Sequence, residues 1–120
     1  MNCEDMTDFE INKAVTMALG KFKASDYSKV SGNYHKGNVF DCNYSVGVVH
    51  DYCNNPSDVW PIIIKNKISI MNDGDLWEAS IDFDGDLEKH GTDEVLTKHY
   101  EHANPLRAAM IVYLMMQEEL

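Results

Sequence analysis

The sequence has few basic residues and no long apolar run. Its 10 Lys and Arg residues stand against 20 Asp and Glu residues, which gives a formal net charge of −10 at pH 7. A surface this negative repels phosphate backbones and anionic membranes, so we expect no direct binding to nucleic acid or to a membrane. The longest apolar run, Ala108 to Met116, is far too short to span a bilayer.

Cysteine is also scarce, and no export signal is visible. The segment Met1 to Asp5 lacks the basic and apolar regions of a signal peptide, so we expect a cytoplasmic protein. Cys3, Cys42 and Cys53 are an odd number of cysteines at irregular spacing. In a reducing compartment they should be free thiols, and a Cys42–Cys53 disulfide is the alternative.

The composition that remains is ordinary for a globular domain. With 120 residues, 44% of them hydrophobic, the chain can bury a core without disulfides or a metal. We therefore predict a single domain over residues 1–120 that needs no cofactor.

A capping box predicts the first helix. The Thr7 hydroxyl can accept a hydrogen bond from the backbone N–H of Glu10 while the Glu10 carboxylate reaches back. The helix is predicted over Asp8–Leu19, with Gly20 as its C-cap. The apolar residues at helical spacing on one face are Ile11, Ala14, Val15, Ala18, Leu19 and Phe22.

A second helix is predicted over Ser57–Asn66. Asn55 or Ser57 could cap it, and Asp58 would lie near the positive end of the helix dipole. Pro61 is expected in the first turn, where its missing N–H costs little. The residues expected to be buried are Val59, Trp60, Ile63 and Ile64.

The last helix is predicted to begin at Pro105, with Asn104 as its cap, and to run to about Glu118. From Ala108 to Met116 it is apolar nearly all round, so it should be packed on more than one side. Its methionines are typical of a core but could also form an adaptable contact surface. They are Met110, Met115 and Met116.

A hairpin is predicted between the second and last helices. The runs Ile68–Met71 and Leu76–Phe83 flank an Asp-Gly turn, and in the second run apolar and polar residues alternate. With helices at both ends, this predicts an α+β fold: a small antiparallel sheet packed with N-terminal, middle and C-terminal helices.

Four other segments give weaker signals. Val39–Cys42 predicts a short strand, and Tyr44–Tyr52 a second short strand or an ordered loop. Asp84–Ala103 is interpreted as an exposed excursion with a helical turn near Asp93–Lys98. A modestly basic stretch, more typical of a solvated loop than of a nucleic-acid patch, contains Lys21, Lys23, Lys29 and Lys36.

The densest feature is acidic. Between Asp73 and Glu101 the chain has ten carboxylates and two lysines, Lys89 and Lys98. Such a surface attracts basic proteins, although charge runs are also common as solvated faces that aid solubility. The residues predicted to bind a partner are Asp73, Asp75, Glu78, Asp82, Asp84, Asp86 and Glu88.

Metal-binding patterns are incomplete. His99 and His102 are three residues apart, but zinc would need two further ligands and no Cys-x-x-Cys or His-Glu-x-x-His occurs. Asp82 to Asp86 resembles the start of a calcium loop, but glycine and glutamate are not at positions six and twelve of the EF-hand pattern. We predict no metal site, and weak divalent-ion binding by clustered carboxylates is the alternative.

Catalytic signals are weak as well. Cys42 or Cys53 could be combined with His50 and Asp51, but no nucleophile elbow or cysteine-enzyme signature surrounds them. The glycines are too scattered to form a phosphate-binding loop. We predict that the protein is not an enzyme.

Two segments, Asn55–Ile64 and Asn104–Tyr113, resemble the NinX-like family of small tailed-phage proteins. That family shows a Ser/Thr-Asp pair followed by a Gly-Pro-Ile-Ile element, a strand with a tryptophan, matched by Trp77, and a closing Pro-Leu-x-Ala-Ala-Met-Arg-x-Tyr helix. The sequence departs from this pattern at Val59-Trp60, at Ile111 and in the acidic insertion after Phe83. The resemblance implies a domain similar to phage ABA sandwiches, with no catalytic residues to carry over.

The resemblance and the charge together predict a function. We expect a phage or prophage accessory protein, active in the host cytoplasm, that binds and inhibits or modulates a basic host protein. A nucleic-acid-binding defence complex, such as a CRISPR effector or a restriction nuclease, is the kind of target that phosphate mimicry would fit. The alternative is a structural or regulatory phage protein that forms a homodimer through its last helix.

Overall fold

The computed structural model describes residues 5–19 and 51–120, together with the backbone of two short strands at 39–40 and 49–50. The predicted α+β fold is confirmed. In chain order the elements are α1 (Asp8–Ala18), β1 (Val39–Phe40), β2 (Val49–His50), α2 (Pro56–Asn66), β3 (Ser69–Asp73), β4 (Leu76–Asp84), α3 (Leu87–His90), β5 (Val95–His102) and α4 (Pro105–Glu119).

Helix α4 is the centre of the described core. It packs against β4 and β5 and also against α1 and α2. Every residue from Arg107 to Leu114 is buried, and so is Met116. The prediction of packing on more than one side is therefore confirmed, and most of the apolar surface of α4 is used within the chain.

The starts of the three long helices are fixed by side-chain caps. Thr7 and Glu10 form the predicted capping box of α1, which ends at Ala18 with Leu19 as its C-cap. Asn55 caps α2 and Asn104 caps α4, each with a proline in the first turn. The predicted cap at Gly20 lies outside the described residues.

Two predictions for α2 are wrong. Pro61 lies inside the helix rather than in its first turn. Because proline has no N–H, the Ser57 carbonyl loses its helical hydrogen bond. Both residues are exposed to water, which can bind that carbonyl instead.

The buried face of α2 also differs from the predicted one. It contains Val59, Ile62 and Ile63, whereas the exposed fraction is 60% for Trp60 and 58% for Ile64.

The larger sheet has the strand order β3-β4-β5 and is antiparallel throughout. The predicted hairpin is confirmed: β3 and β4 pair from Ser69↔Ser80 to Asp73↔Leu76. Gly74 in the turn has φ of 64°, which an L side chain adopts only with strain. A separate two-stranded sheet pairs β1 with β2, within the two segments for which short strands were predicted.

The prediction of an exposed excursion over Asp84–Ala103 is wrong. Most of its second half is β5, which pairs with β4 from Trp77↔His102 to Asp84↔Val95, and the helical turn is α3 rather than a turn near Asp93–Lys98. The connection closes tightly, because the Gly85 N–H donates to the Glu94 carbonyl and a Cβ at Gly85 would lie 2.5 Å from the Thr92 carbonyl oxygen.

Candidate protein-binding face

The larger sheet has one face on the core and one face in solvent. Ala79, Ile81 and Phe83 of β4 are buried on the core side, and the alternate residues point away. Because directly paired residues share a face, the register extends this division across the sheet. The outer face consists of Ser69, Met71, Asp73, Leu76, Glu78, Ser80, Asp82, Asp84, Val95, Thr97, His99 and Glu101.

Four of the predicted partner-binding residues lie on this outer face. Asp73 ends β3, and Glu78, Asp82 and Asp84 alternate along β4. Glu101 of β5 joins them directly opposite Glu78. Glu101 was not among the predicted residues because β5 was not recognised: Thr97, Lys98 and His99 are consecutive polar residues, which break the apolar–polar alternation of a half-buried strand.

The other three predicted residues lie elsewhere. Asp75 is in the turn between β3 and β4. Asp86 caps α3, where one carboxylate oxygen accepts from the backbone N–H of Glu88 at 2.9 Å and of Lys89 at 3.4 Å. Glu88 is in α3, which is held on the core side of the sheet because the His90 ring packs edge-on against Phe83. The two hydrogen bonds that Asp86 accepts stabilise the start of α3, so its carboxylate is used within the fold of the β4–β5 connection.

The outer face has an acidic cluster near the hairpin turn, formed by Asp73, Glu78 and Glu101. One carboxylate oxygen from each lies within 4.8 Å of the others. A hydrogen bond with Asp73 and the negative charges of Asp73 and Glu78 raise the pKa of Glu101. Oxygen ligands of this kind suit Ca²⁺, but these three carboxylates, of exposed Asp73 and Glu101 and half-buried Glu78, fall short of the roughly six to eight ligands that it takes.

The opposite end of the outer face, next to the β4–β5 connection, is also acidic. Asp82 and Asp84 lie there, and the Thr97 hydroxyl donates to Asp82 Oδ1 at 2.6 Å. Large apolar side chains are exposed at both ends: Met71 is 61% exposed, Leu76 38% and Val95 63%. The face therefore combines carboxylates with apolar surface, which is a composition that suits contact with another protein.

The described cations do not neutralise this face. Among the outer-face residues that the structure describes, none is Lys or Arg. Lys98 points to the core side of β5 and pairs with Glu119 at 3.0 Å, and Lys89 Nζ donates to the Leu120 backbone carbonyl at 2.6 Å. The described part of the outer face is therefore rich in carboxylates that have no Lys or Arg among them.

The histidines and cysteine considered for chemistry have other surroundings. His99 lies on the outer face and His102 on the core side, so the two cannot share a metal ion. Burial and the positive charge of Arg107 lower the pKa of His102, whose Nδ1 accepts from the Asn104 N–H at 2.9 Å. Cys53 is a free, fully buried thiol, and burial together with the charge of Asp8 raises its pKa to about 12, which is unfavourable for a nucleophile.

A second polar group, which sequence reasoning missed, lies where the three long helices begin. Arg107 donates to Asp8 at 2.6 Å, and Asn54 donates to the other Asp8 oxygen at 3.2 Å. Asn104 donates to the Cys53 carbonyl at 2.7 Å while its own oxygen caps α4. These contacts fix the helix starts relative to one another, so this group positions the core that supports the sheet.

These features define a small α+β domain whose sheet covers a central helix on one side and presents an acidic face on the other. None of the described helices has the length and apolar content needed to cross a bilayer. The family model described as "Bacteriophage P22, NinX" matches residues 2–117, and the chain therefore belongs to this family of phage proteins. No curated protein and no solved structure shows significant similarity to this chain.

Proposed function

We propose that this phage protein is a non-enzymatic accessory protein that binds a basic host protein through the outer face of its sheet. The observation that carries the proposal is the arrangement of Asp73, Glu78, Asp82, Asp84 and Glu101 on one solvent-facing surface. Their charges add because no described Lys or Arg lies among them, and rigid strands hold them in place. Such a surface speeds encounter with a positively charged partner and disfavours negatively charged ones.

The class of partner follows from the sign and placement of these charges. A protein that binds nucleic acid presents Lys and Arg along the path of the phosphates. Carboxylates fixed on an ordered face can occupy that path and exclude the nucleic acid. A host-defence complex that handles DNA or RNA, of the CRISPR or restriction type, is therefore the proposed target, in the host cytoplasm.

The non-enzymatic part of the proposal rests on the surroundings of the groups that could react. Cys53 is buried with a raised pKa. Asp51, its neighbour in the sequence, accepts hydrogen bonds from the Cys53 N–H at 3.3 Å and from Asn12 at 3.0 Å. These contacts show that Asp51 is used to stabilise the fold of the 51–55 turn.

The test compares two variants of equal net charge. In the first, Glu78, Asp84 and Glu101 on the outer face are changed to Lys. In the second, Glu88, Asp93 and Glu94, which lie on the β4–β5 connection and are exposed, are changed to Lys. Host proteins that wild type retains at low salt and releases at high salt are identified, and the affinity of the purified host protein is then measured with both variants.

We expect the outer-face variant to bind the host protein at least about tenfold more weakly and the connection variant to bind nearly as well as wild type. Equal losses in the two variants would mean that only net charge matters. Unchanged affinity in the outer-face variant would refute the proposal.

The alternative, a homodimer formed through α4, has less surface to use. The residues Met110 to Met116 are all buried within the chain except Met115, which is partly exposed. Sedimentation at micromolar concentration separates the two functions: a stable dimer that is lost in Met115→Glu would favour the alternative.

A further inference from the structure

The outer face is divided into two acidic ends by a row of small or polar residues. The row Ser69–Ser80–His99 crosses the sheet between the rows of Glu78 and Asp82. On its hairpin side are Glu78 and Glu101, next to Met71; on its other side are Asp82 and Asp84, next to Val95. The small side chains of Ser69 and Ser80 therefore separate two acidic and partly apolar ends on β3 and β4, and His99 continues the row on β5.

The width of this separation can be obtained from strand geometry. Residues on one face of β4 are two apart, and an antiparallel strand rises about 3.4 Å per residue, so Glu78 and Asp82 are about 14 Å apart along the strand. An α-helix with its side chains is about 10–12 Å in diameter. A helix laid across the strands above Ser80 would therefore contact both acidic ends at once.

We propose that the partner presents a basic α-helix, which lies across the strands above Ser80 with Lys or Arg residues along both flanks. This inference rests on the proposed function and specifies the shape of the partner surface. The charged heads would meet Glu78 and Glu101 on one side and Asp82 and Asp84 on the other. Their aliphatic stems would cover the exposed side chains of Met71 and Val95.

A strand or a loop fits this surface less well. An added strand would pair with the backbone at a sheet edge, beside β3 or β5, and would leave the outer face uncovered. A flexible loop would have to be ordered on binding, which costs free energy for each immobilised residue. A preformed helix avoids that cost and spans the distance between the two ends.

The test uses two synthetic peptides as probes. One is an Ala-based peptide of about 20 residues, long enough to be helical in water, with Arg on two flanks. The other has the same charge but two central Ala→Pro changes that prevent the helix. We expect the helical peptide to bind the wild-type protein, with a salt-dependent affinity about tenfold or more above that of the proline peptide.

A substitution that fills the row tests where the helix lies. Ser80→Tyr adds bulk above β4 without changing charge, and Tyr is well tolerated in strands. Ser57→Tyr on α2, where Ser57 is exposed, is the matched control. We expect Ser80→Tyr to weaken binding of the helical peptide about tenfold and Ser57→Tyr to leave it unchanged, with circular dichroism and thermal melting confirming that both variants are folded.

The outcomes separate this inference from the proposed function. If both peptides bind equally, if the helical peptide does not bind, or if Ser80→Tyr has no effect, the helical partner surface is refuted. The proposed function then still stands or falls on the charge-reversed variants and the host protein. If the outer-face reversal leaves host binding unchanged, the proposed function fails whatever the peptides do.

Discussion

Arg107 and Asp8, which are 99 residues apart in the chain, form an ion pair of 2.6 Å between the first turns of α4 and α1. The Arg107 side chain is only 10% exposed and that of Asp8 is 40% exposed. Arg107 also donates to the Met6 carbonyl, so the N-terminal side of α1 is held to α4 by two contacts from one guanidinium group.

Replacing Asp8 by Ala should therefore destabilise the protein. Removing one partner of a buried ion pair costs about 3–5 kcal/mol, and the partial exposure of Asp8 reduces this to about 1–3 kcal/mol. Urea denaturation gives the free energy of unfolding. Asp93→Ala, at an exposed position, is the control and should change stability by less than about 0.5 kcal/mol; equal losses would contradict the role of the ion pair.

The same carboxylate should make stability depend on pH. Partial burial would raise the pKa of Asp8, but hydrogen bonds from Asn54 and Arg107 and the charge of Arg107 together hold it below the ordinary value of 3.8. Its stabilising contribution is therefore complete above pH 3.8 and is lost as pH falls through the lower folded-state pKa. Wild type and Asp8→Ala should differ in unfolding free energy at neutral pH and converge in acid; a constant difference would exclude this linkage.

Glu101 should show the opposite dependence. The neighbouring Asp73 and Glu78 raise its pKa above 4.5, so its contribution is fully present below pH 4.5 and is lost as pH rises through the folded-state pKa. Glu101→Gln should therefore have a higher melting temperature than wild type at neutral pH and about the same one in mild acid. Glu94→Gln, outside the cluster, should show no such difference.

Helix α2 offers a matched pair of isoleucines. Ile62 is 6% exposed and Ile64 is 58% exposed. Ile62→Ala should cost about 2–4 kcal/mol because it leaves a cavity, and Ile64→Ala should cost less than about 0.5 kcal/mol apart from its change in helix propensity. Chemical denaturation of the two variants measures both values. Equal costs would favour the burial of Ile64 that the sequence predicted.

Local signals in the sequence were sufficient for the helix starts and for the hairpin. Thr7, Asn55 and Asn104 cap helices with their own side chains, and Asp73-Gly74 sets a tight turn, so neighbouring residues alone determine these features. The sequence from Ala108 to Met116, which is apolar nearly all round the helix, similarly predicted that α4 is packed on several sides.

Features that depend on distant residues could not be predicted in this way. The apolar residues of α2 fit two helical faces, and packing on α4 selects the face with Ile62 and leaves Trp60 in solvent. Strand β5 was missed because Lys98 and His102 occupy its core side, where Lys98 needs Glu119 from α4 as a partner. Glu101 was lost from the predicted site together with its strand.

The position of α4 also has a consequence for how the protein is made. The sheet and the helices α1 and α2 all pack on an element that follows them in the chain. During synthesis their apolar faces therefore lack their contacts with α4 until that helix has left the ribosome, and native contacts then form over long sequence separations. We expect folding to be one late, cooperative step, with a preceding interval in which chaperones can bind the unfinished chain.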